Sequence, residues 1–176
     1  MRIEGVALLV PGDNIDTDVM YPGAYLNVED PAQMAQYLFE GFDPTLRAQL
    51  VDGTILVVGS NFGIGSSREH VPLAMRESGI RGVVGRSFAR IFYRNCVNLG
   101  LAIVPCTEAV DAARDGSRLT IDTAGAVEVD GRVYDAPAAP PMLLELGAAG
   151  GLIGWSASRI AYNVVRRNQD VGTSSE

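Results

Sequence analysis

The sequence predicts an α/β fold with a mostly parallel core sheet and an antiparallel addition. Three observations predict it. In the first two thirds of the chain, short β-branched runs alternate with segments of helical spacing, the pattern of parallel strands joined by helical crossovers. After residue 118, three short strand-like runs follow one another, and Asp130-Gly131 supplies a hairpin turn. The chain has 176 residues, 47% hydrophobic and 20% charged, which is one domain's worth with enough apolar side chains for a full core.

Ile3 to Val10 reads as the first strand, ended by the turn signal Pro11-Gly12-Asp13-Asn14. Asp13, Asp16 and Asp18 decorate the loop that follows. Asp30 as N-cap and Pro31 at the first helical position open a helix expected to run to about Glu40. Thr54 to Val58 is a continuous apolar, β-branched run, hence a buried strand. A glycine-spaced loop leads to a helix expected from about Ser66 to Ser78, closed by Gly79. Gly82 to Gly85 is a short strand, Ser87 to Leu99 a helix closed by Gly100, and Leu101 to Val104 another buried strand. Leu119–Ile121, Ala126–Val129 and Arg132–Tyr134 form the antiparallel unit. Pro141 to Ala149 and Ser156 to Arg167 carry helical spacing, and residues 168–176 read as a frayed polar tail. One domain is expected over residues 1–167.

The formal charge of −7 argues against nucleic acid as a partner, because a phosphate backbone demands a basic face. No apolar stretch approaches the roughly 20 residues that cross a bilayer; the longest, around Leu143 to Ile153, is broken by Glu145 and glycines. The first residues lack the apolar run of a signal peptide. A soluble, cytoplasmic protein is expected. Cys96 and Cys106 fit a reducing compartment, leave a disulfide open, and are too few to hold zinc or an iron–sulfur cluster alone. No metal site is expected in the chain.

The chemistry-bearing segment is Gly59-Ser60-Asn61-Phe62-Gly63-Ile64-Gly65-Ser66-Ser67-Arg68-Glu69-His70, placed at a strand-to-helix transition. Free backbone N–H groups and the helix dipole make such a junction a site for anions. Gly63 and Gly65 permit unusual dihedrals, two serine hydroxyls stand at the expected helix mouth, and Arg68 offers a planar fork matched to a carboxylate. The pattern points to a small carboxylate or phosphate. The plainer reading makes Ser66 a helix cap, with Glu69 completing a capping box and Arg68 pairing with Glu69 or a partner chain. A Walker-type nucleotide loop is disfavoured, since Gly-Lys-Ser/Thr is missing.

Asn61 to His70 resembles the Gly-x-Gly-Ser-Ser-Arg-Glu-His signature of the swivelling domain of the aconitase superfamily. The resemblance extends to Asp13-Asn14-Ile15-Asp16-Thr17-Asp18 and to residues 82–95, Gly-Val-Val-Gly-Arg-Ser-Phe-Ala-Arg-Ile-Phe-Tyr-Arg-Asn. It covers roughly residues 5 to 155, in the order typical of separate small subunits. It implies a swivelling β/β/α domain that contributes half of an active site. In that family a large subunit carries a four-iron four-sulfur cluster, a Lewis acid for the departing hydroxyl, and the pair moves a hydroxyl between neighbouring carbons. By the resemblance, Ser66 is the base that removes a carbon-bound proton, with Ser67 and Arg68 holding a substrate carboxylate. A serine hydroxyl is a weak base, so its alkoxide needs the helix terminus and Arg68 for support. Ile64 stands where many relatives carry cysteine or glutamate, outside the inferred catalytic groups.

The resemblance also assigns recognition of the substrate's variable arm to Pro22-Gly23-Ala24-Tyr25-Leu26-Asn27-Val28-Glu29-Asp30. No arginine or lysine lies between Met20 and Leu46, and burying a third carboxylate without a cation is costly. Leu26 and Val28 suit an apolar arm and Asn27 a neutral hydrogen bond. An alkyl-substituted malate is therefore expected, 3-isopropylmalate first and dimethylmalate or methylmalate next. A large-subunit cation would readmit homoaconitate-type chemistry, and the loop is otherwise a plain surface connection. The expected partners are a cluster-bearing large subunit, as heterodimer or heterotetramer, and a small dicarboxylate; the opposed class is a non-catalytic dicarboxylate-binding module.

Among the remaining residues, His70 is the only histidine, expected in a structural hydrogen bond rather than as a proton carrier. Asp16 and Asp18 are expected to stabilise a turn rather than bind metal. Arg81, Arg86, Arg90 and Arg94 form a basic set, either solvated or facing the large subunit. Trp155 has no readable role.

Overall fold

Four strands, β1 (Arg2–Val10), β2 (Thr54–Val58), β3 (Ile80–Gly85) and β4 (Ala102–Pro105), lie side by side and parallel. Three more, β5 (Arg118–Asp122), β6 (Ala126–Val129) and β7 (Arg132–Asp135), continue the sheet antiparallel from β1, giving the order β4-β3-β2-β1-β5-β6-β7. The structure is a computed structural model describing residues 1–139 and 141–160. The expected tail and most of the segment from Ser156 to Arg167, including the boundary at 167, lie outside the described residues.

The strand β1 serves two partners. Arg2 to Val6 pair with β5 and Val6 to Val10 with β2. Alternation along the strands builds two cores, because successive side chains point to opposite faces. Leu8, Val10, Leu56, Val58, Val83 and Ile103 face one cluster. Ala7, Ile55, Val57, Val84 and Val104 face the other, joined by Leu119, Ile121, Val127 and Val129. The helix α5 (Thr107–Ala112; Ala109 fully buried) touches both β3 and β6. Those strands are separated by β2, β1 and β5, so the sheet curls.

The first core is closed by α1 (Thr17–Met20), α2 (Pro31–Met34), α3 (His70–Glu77) and α4 (Arg90–Asn98); α6 (Pro141–Ala148) packs on α4, and residues 152–160 are helical. The punctuation read from the sequence holds. Gly79 (φ +82°) and Gly100 (φ +74°) take left-handed conformations just past α3 and α4, and Asp130 (φ +49°) with Gly131 (φ +87°) makes the hairpin turn. The Asp30 carboxylate caps α2, accepting from the Ala32 N–H at 3.0 Å.

Several boundaries differ, for physical reasons. The α2 segment passes through a short 3-10 turn at Ala35–Tyr37 and stops short of Glu40. Leu38 is extended, and Phe39 takes a left-handed conformation (φ +62°) so that its N–H donates to the Met20 carbonyl at 2.6 Å with both side chains fully buried. Tertiary packing overrides local propensity there. The helix expected from Ser87 begins only at Arg90, because the Ser87 carbonyl accepts from the Phe62 N–H and the Ala89 N–H donates to the Phe62 carbonyl. Asp13 to Asp18, expected as loop, ends in α1, and α5 was not anticipated.

Candidate active site

Three loops leave the carboxyl ends of neighbouring parallel strands: residues 11–16 after β1, 59–69 after β2 and 86–89 after β3. Ligands of open α/β sheets collect at this edge. The loops are laced together. The Asn14 N–H donates to the Ser60 carbonyl (2.9 Å), the Gly63 N–H to the Ile15 carbonyl (2.9 Å) and the Thr17 N–H to the Ile64 carbonyl (2.8 Å). The Asn61 amide donates to the Asn14 side-chain oxygen at 2.9 Å, and the Asn61 N–H to Ser87 Oγ at 2.8 Å. The three segments singled out in the sequence thus form one cluster.

Two glycines make the cluster possible. Gly63 (φ +83°) lies against the Phe92 ring, and Gly65 (φ +94°) lies against the Asp16 carboxylate, where a Cβ would overlap it. That carboxylate also caps α1, accepting from the Asp18 N–H at 2.7 Å. The expectation of turn-stabilising carboxylates is met at Asp16 but not at Asp18, whose carboxylate pairs with Arg68 instead.

The expectation of a helix beginning at Ser66 is not met. The helix α3 starts at His70, with Glu69 at its cap and no side-chain capping bond. The Ser66 carbonyl accepts from Thr17 Oγ1 (3.1 Å) and the Ser67 carbonyl from Asn95 Nδ2 (3.1 Å), so both are drawn away from the helical ladder. Pro72 agrees, since proline fits a first turn but not a helix interior. The capping box from Ser66 to Glu69 does not form. Ser66 and Ser67 therefore stand on an irregular strap before α3 rather than at its mouth.

Ser67 is exposed, whereas Ser66 Oγ is shielded and has no hydrogen-bond partner among the described residues. An unpaired buried hydroxyl costs about 1–3 kcal/mol, and a turn of χ1 to another staggered well would change its surroundings. Arg68, with 24% of its side chain exposed, pairs with Asp18 at 3.1 Å, donates to the Tyr21 carbonyl at 3.4 Å and lies over Gly23. It does not pair with Glu69. The guanidinium keeps further N–H donors for a carboxylate.

The loop at 22–30 rests on an aromatic platform. Tyr25 stacks on Tyr37 at 4.0 Å and meets Tyr21 edge-on at 6.5 Å, and the Tyr21 hydroxyl donates to the Tyr25 carbonyl. Burial, and then the neighbouring Tyr37, push the Tyr21 phenol above its ordinary pKa. Leu26 and Val28 are half-buried against the first core, and Asn27 is exposed. His70 packs its ring 5.5 Å from Tyr21, and among the described residues its side chain makes no hydrogen bond, so its expected structural hydrogen bond is replaced by an aromatic contact.

Elsewhere, Arg81 pairs with Asp52 (2.7 Å) and Arg86 with Asp111, while Arg90 and Arg94 are exposed without an ion pair among the described residues. Trp155 Nε1 donates to Glu145 at 3.0 Å. Both cysteines are free and buried, which closes the disulfide option. Among the described residues, no group of three or more His, Cys, Asp or Glu side chains is placed to hold a metal ion, and no helix is long and apolar enough to cross a membrane.

Residues 13–108 match the aconitase C-terminal domain family. The chain is 40% identical over 158 residues to the 3-isopropylmalate dehydratase small subunit of Thermodesulfovibrio yellowstonii, covering 88% of this chain and 94% of that one. It is 43% identical over 157 residues to the protein of the same name from Moorella thermoacetica, covering 87% and 94%. The chain belongs to this small-subunit family. A solved structure of 3-isopropylmalate dehydratase from Methanocaldococcus jannaschii superposes with TM-score 0.86 at 34% identity, over 94% of this chain and 99% of that one. The α/β swivelling architecture expected from the sequence is thus the family's. What the sequence reading missed within the site are the two clamps on the small-subunit strap, Thr17 and Asn95, and the Asp18 grip on Arg68. The proline at 72 was the available signal for the strap itself.

Proposed function

We propose that this chain is the small subunit of a hydro-lyase that interconverts 3-isopropylmalate and 2-isopropylmalate by dehydration and rehydration, in leucine biosynthesis. The observation that carries the reading is its kinship, 40–43% over most of both chains, with small subunits of that name. The gathering of its three signature segments around Ser66, Ser67 and Arg68 gives that kinship a chemical centre. Arg68, already oriented by Asp18 and Tyr21, holds a substrate carboxylate through its free N–H groups, assisted by the exposed Ser67 hydroxyl. Ser66, as its alkoxide and after a χ1 turn, takes the carbon-bound proton and becomes the neutral hydroxyl. Its hydroxyl oxygen is shielded from solvent, where a charge brought close acts more strongly than in water.

Substrate choice follows from the loop at 22–30. It carries no cation between Met20 and Leu46, so it favours the alkyl arm of isopropylmalate, with Leu26 and Val28 as apolar neighbours and Asn27 as a neutral donor or acceptor. Among the described residues no cluster of ligating side chains is present, and the two buried cysteines, Cys96 and Cys106, are too few for an iron–sulfur cluster. We assign that cluster, and the chemistry at the departing hydroxyl, to a large subunit that completes the site as a heterodimer or heterotetramer in the cytoplasm.

The test is reconstitution. The chain alone should show no dehydratase turnover and should gain it with a large subunit of the same family. Ser66→Ala in that complex should lower kcat by about 10²- to 10⁴-fold, the usual contribution of a positioned base. Unchanged turnover would remove Ser66 from the reaction, and a preference for a tricarboxylic substrate would overturn the loop reading.

A further inference from the structure

Between Gly65 and Glu69 no helix or strand holds the backbone. The placement of Ser66 must therefore come from outside the segment. Thr17 supplies it twice. Its N–H donates to the Ile64 carbonyl at 2.8 Å and its hydroxyl to the Ser66 carbonyl at 3.1 Å. These two acceptors bracket Gly65, whose φ of +94° turns the chain, and the neighbouring Asp16 carboxylate fills the space beside the Gly65 Cα. Asp16 and Thr17 act as a template on which the strap is cast.

Thr17 is only 1% exposed, and burying a hydroxyl is unfavourable unless it is bonded. Valine would fill the same volume without that cost. Among the described residues, the bond to the Ser66 carbonyl is the one the Thr17 hydroxyl makes. The Ser66 side chain, by contrast, is bonded to nothing described. The arrangement fixes the backbone of Ser66, while no hydrogen bond among the described residues holds its χ1.

We propose that Thr17 is a positioning residue for the reaction, holding the Ser66 backbone so that rotation of one side-chain bond delivers the hydroxyl to the substrate. The proposal rests on the reading of Ser66 as the proton-abstracting group. Reacting groups must be aligned to within a fraction of an ångström, and an error of about 1 Å costs up to about 10²-fold.

The experiment compares Thr17→Val, Thr17→Ala and Thr17→Ser with Ser66→Ala, all in the reconstituted two-subunit enzyme with 3-isopropylmalate. Thr17→Val should lower kcat by about 10- to 100-fold with KM within about two-fold. Thr17→Ser, which keeps the hydroxyl, should restore kcat to within about three-fold of the parent. If the valine variant fails to assemble, the smaller alanine variant carries the same expectation. Equal losses in the serine and alanine variants would show that the methyl group matters rather than the hydrogen bond, and would overturn the proposal. So would parental kcat in Thr17→Val and Thr17→Ala, or a loss confined to KM. An active Ser66→Ala enzyme would instead defeat the underlying assignment of Ser66. Inactive Ser66→Ala with fully active Thr17→Val defeats only the role of Thr17.

Discussion

Replacing Gly65 with alanine tests whether the strap is cast against Asp16, and a second glycine supplies the control. Gly65 and Gly12 have nearly the same backbone angle, φ +94° and +101°. They differ in surroundings. A Cβ on Gly12 meets nothing within 4 Å, whereas one on Gly65 overlaps the Asp16 carboxylate. Gly12→Ala therefore bears only the dihedral penalty, about 1–3 kcal/mol for a side chain in a sparsely populated region. Gly65→Ala bears the same penalty and must also displace a carboxylate that caps α1. Losing such a cap costs about 1 kcal/mol. The difference between the two variants should be at least about 1 kcal/mol, read from urea unfolding of the purified chain at constant m-value. Adding Asp16→Ala to Gly65→Ala removes the overlap, so the double variant should be less destabilised than the sum of the singles by about 1 kcal/mol. Equal costs for the two glycines, or strict additivity with Asp16→Ala, would refute the template argument.

Two further outcomes are expected. Arg68→Lys keeps the charge but loses the planar fork, so kcat/KM of the reconstituted enzyme should fall about 10- to 100-fold, the worth of one charge-assisted hydrogen bond; stability should change by under about 1 kcal/mol, because Asp18 is half-exposed, and a change under two-fold in kcat/KM would remove Arg68 from carboxylate binding. Burial raises the Cys96 thiol far above its ordinary pKa, so the folded state holds a proton that the unfolded chain releases above about pH 8.5. That stability is complete below the ordinary thiol range and lost as pH rises; the thermal midpoint should decline from about pH 9, and Cys96→Ala should flatten the slope. A slope identical in the two proteins would assign the decline elsewhere.

Much of the fold was legible because strong local signals agreed with the tertiary structure. The short β-branched run at residues 54–58, flanked by Gly53 and Gly59, reads as a strand buried on both faces, and Asp130-Gly131 and Gly79 have backbone roles that few other residues fill. The failures came where non-local bonds outweighed local preference. Leu38 and Phe39 carry helical spacing, yet full burial and the Met20 carbonyl pull them out of a helix. Ser87 suits a helix start, yet Phe62 claims its carbonyl. At the site, the residue types on the strap were readable, but their placement depends on Thr17 and Asn95, which are 49 and 28 residues away from their acceptors. Pro72 was the one local sign that the helix starts late. The Asp18–Arg68 pair spans a comparable gap and no spacing rule announces it.

The division of β1 between two partners bears on how the chain must be made. Its second half can zip to β2 once residues 54–58 exist, but its first half pairs with residues 118–122. At about 5–20 residues per second, that partner leaves the ribosome roughly 5–20 s after β1. Throughout the wait the first half of β1 is a strand edge without its β5 partner. Covering that edge until β5 emerges, as a chaperone would, should therefore raise the yield of folded protein.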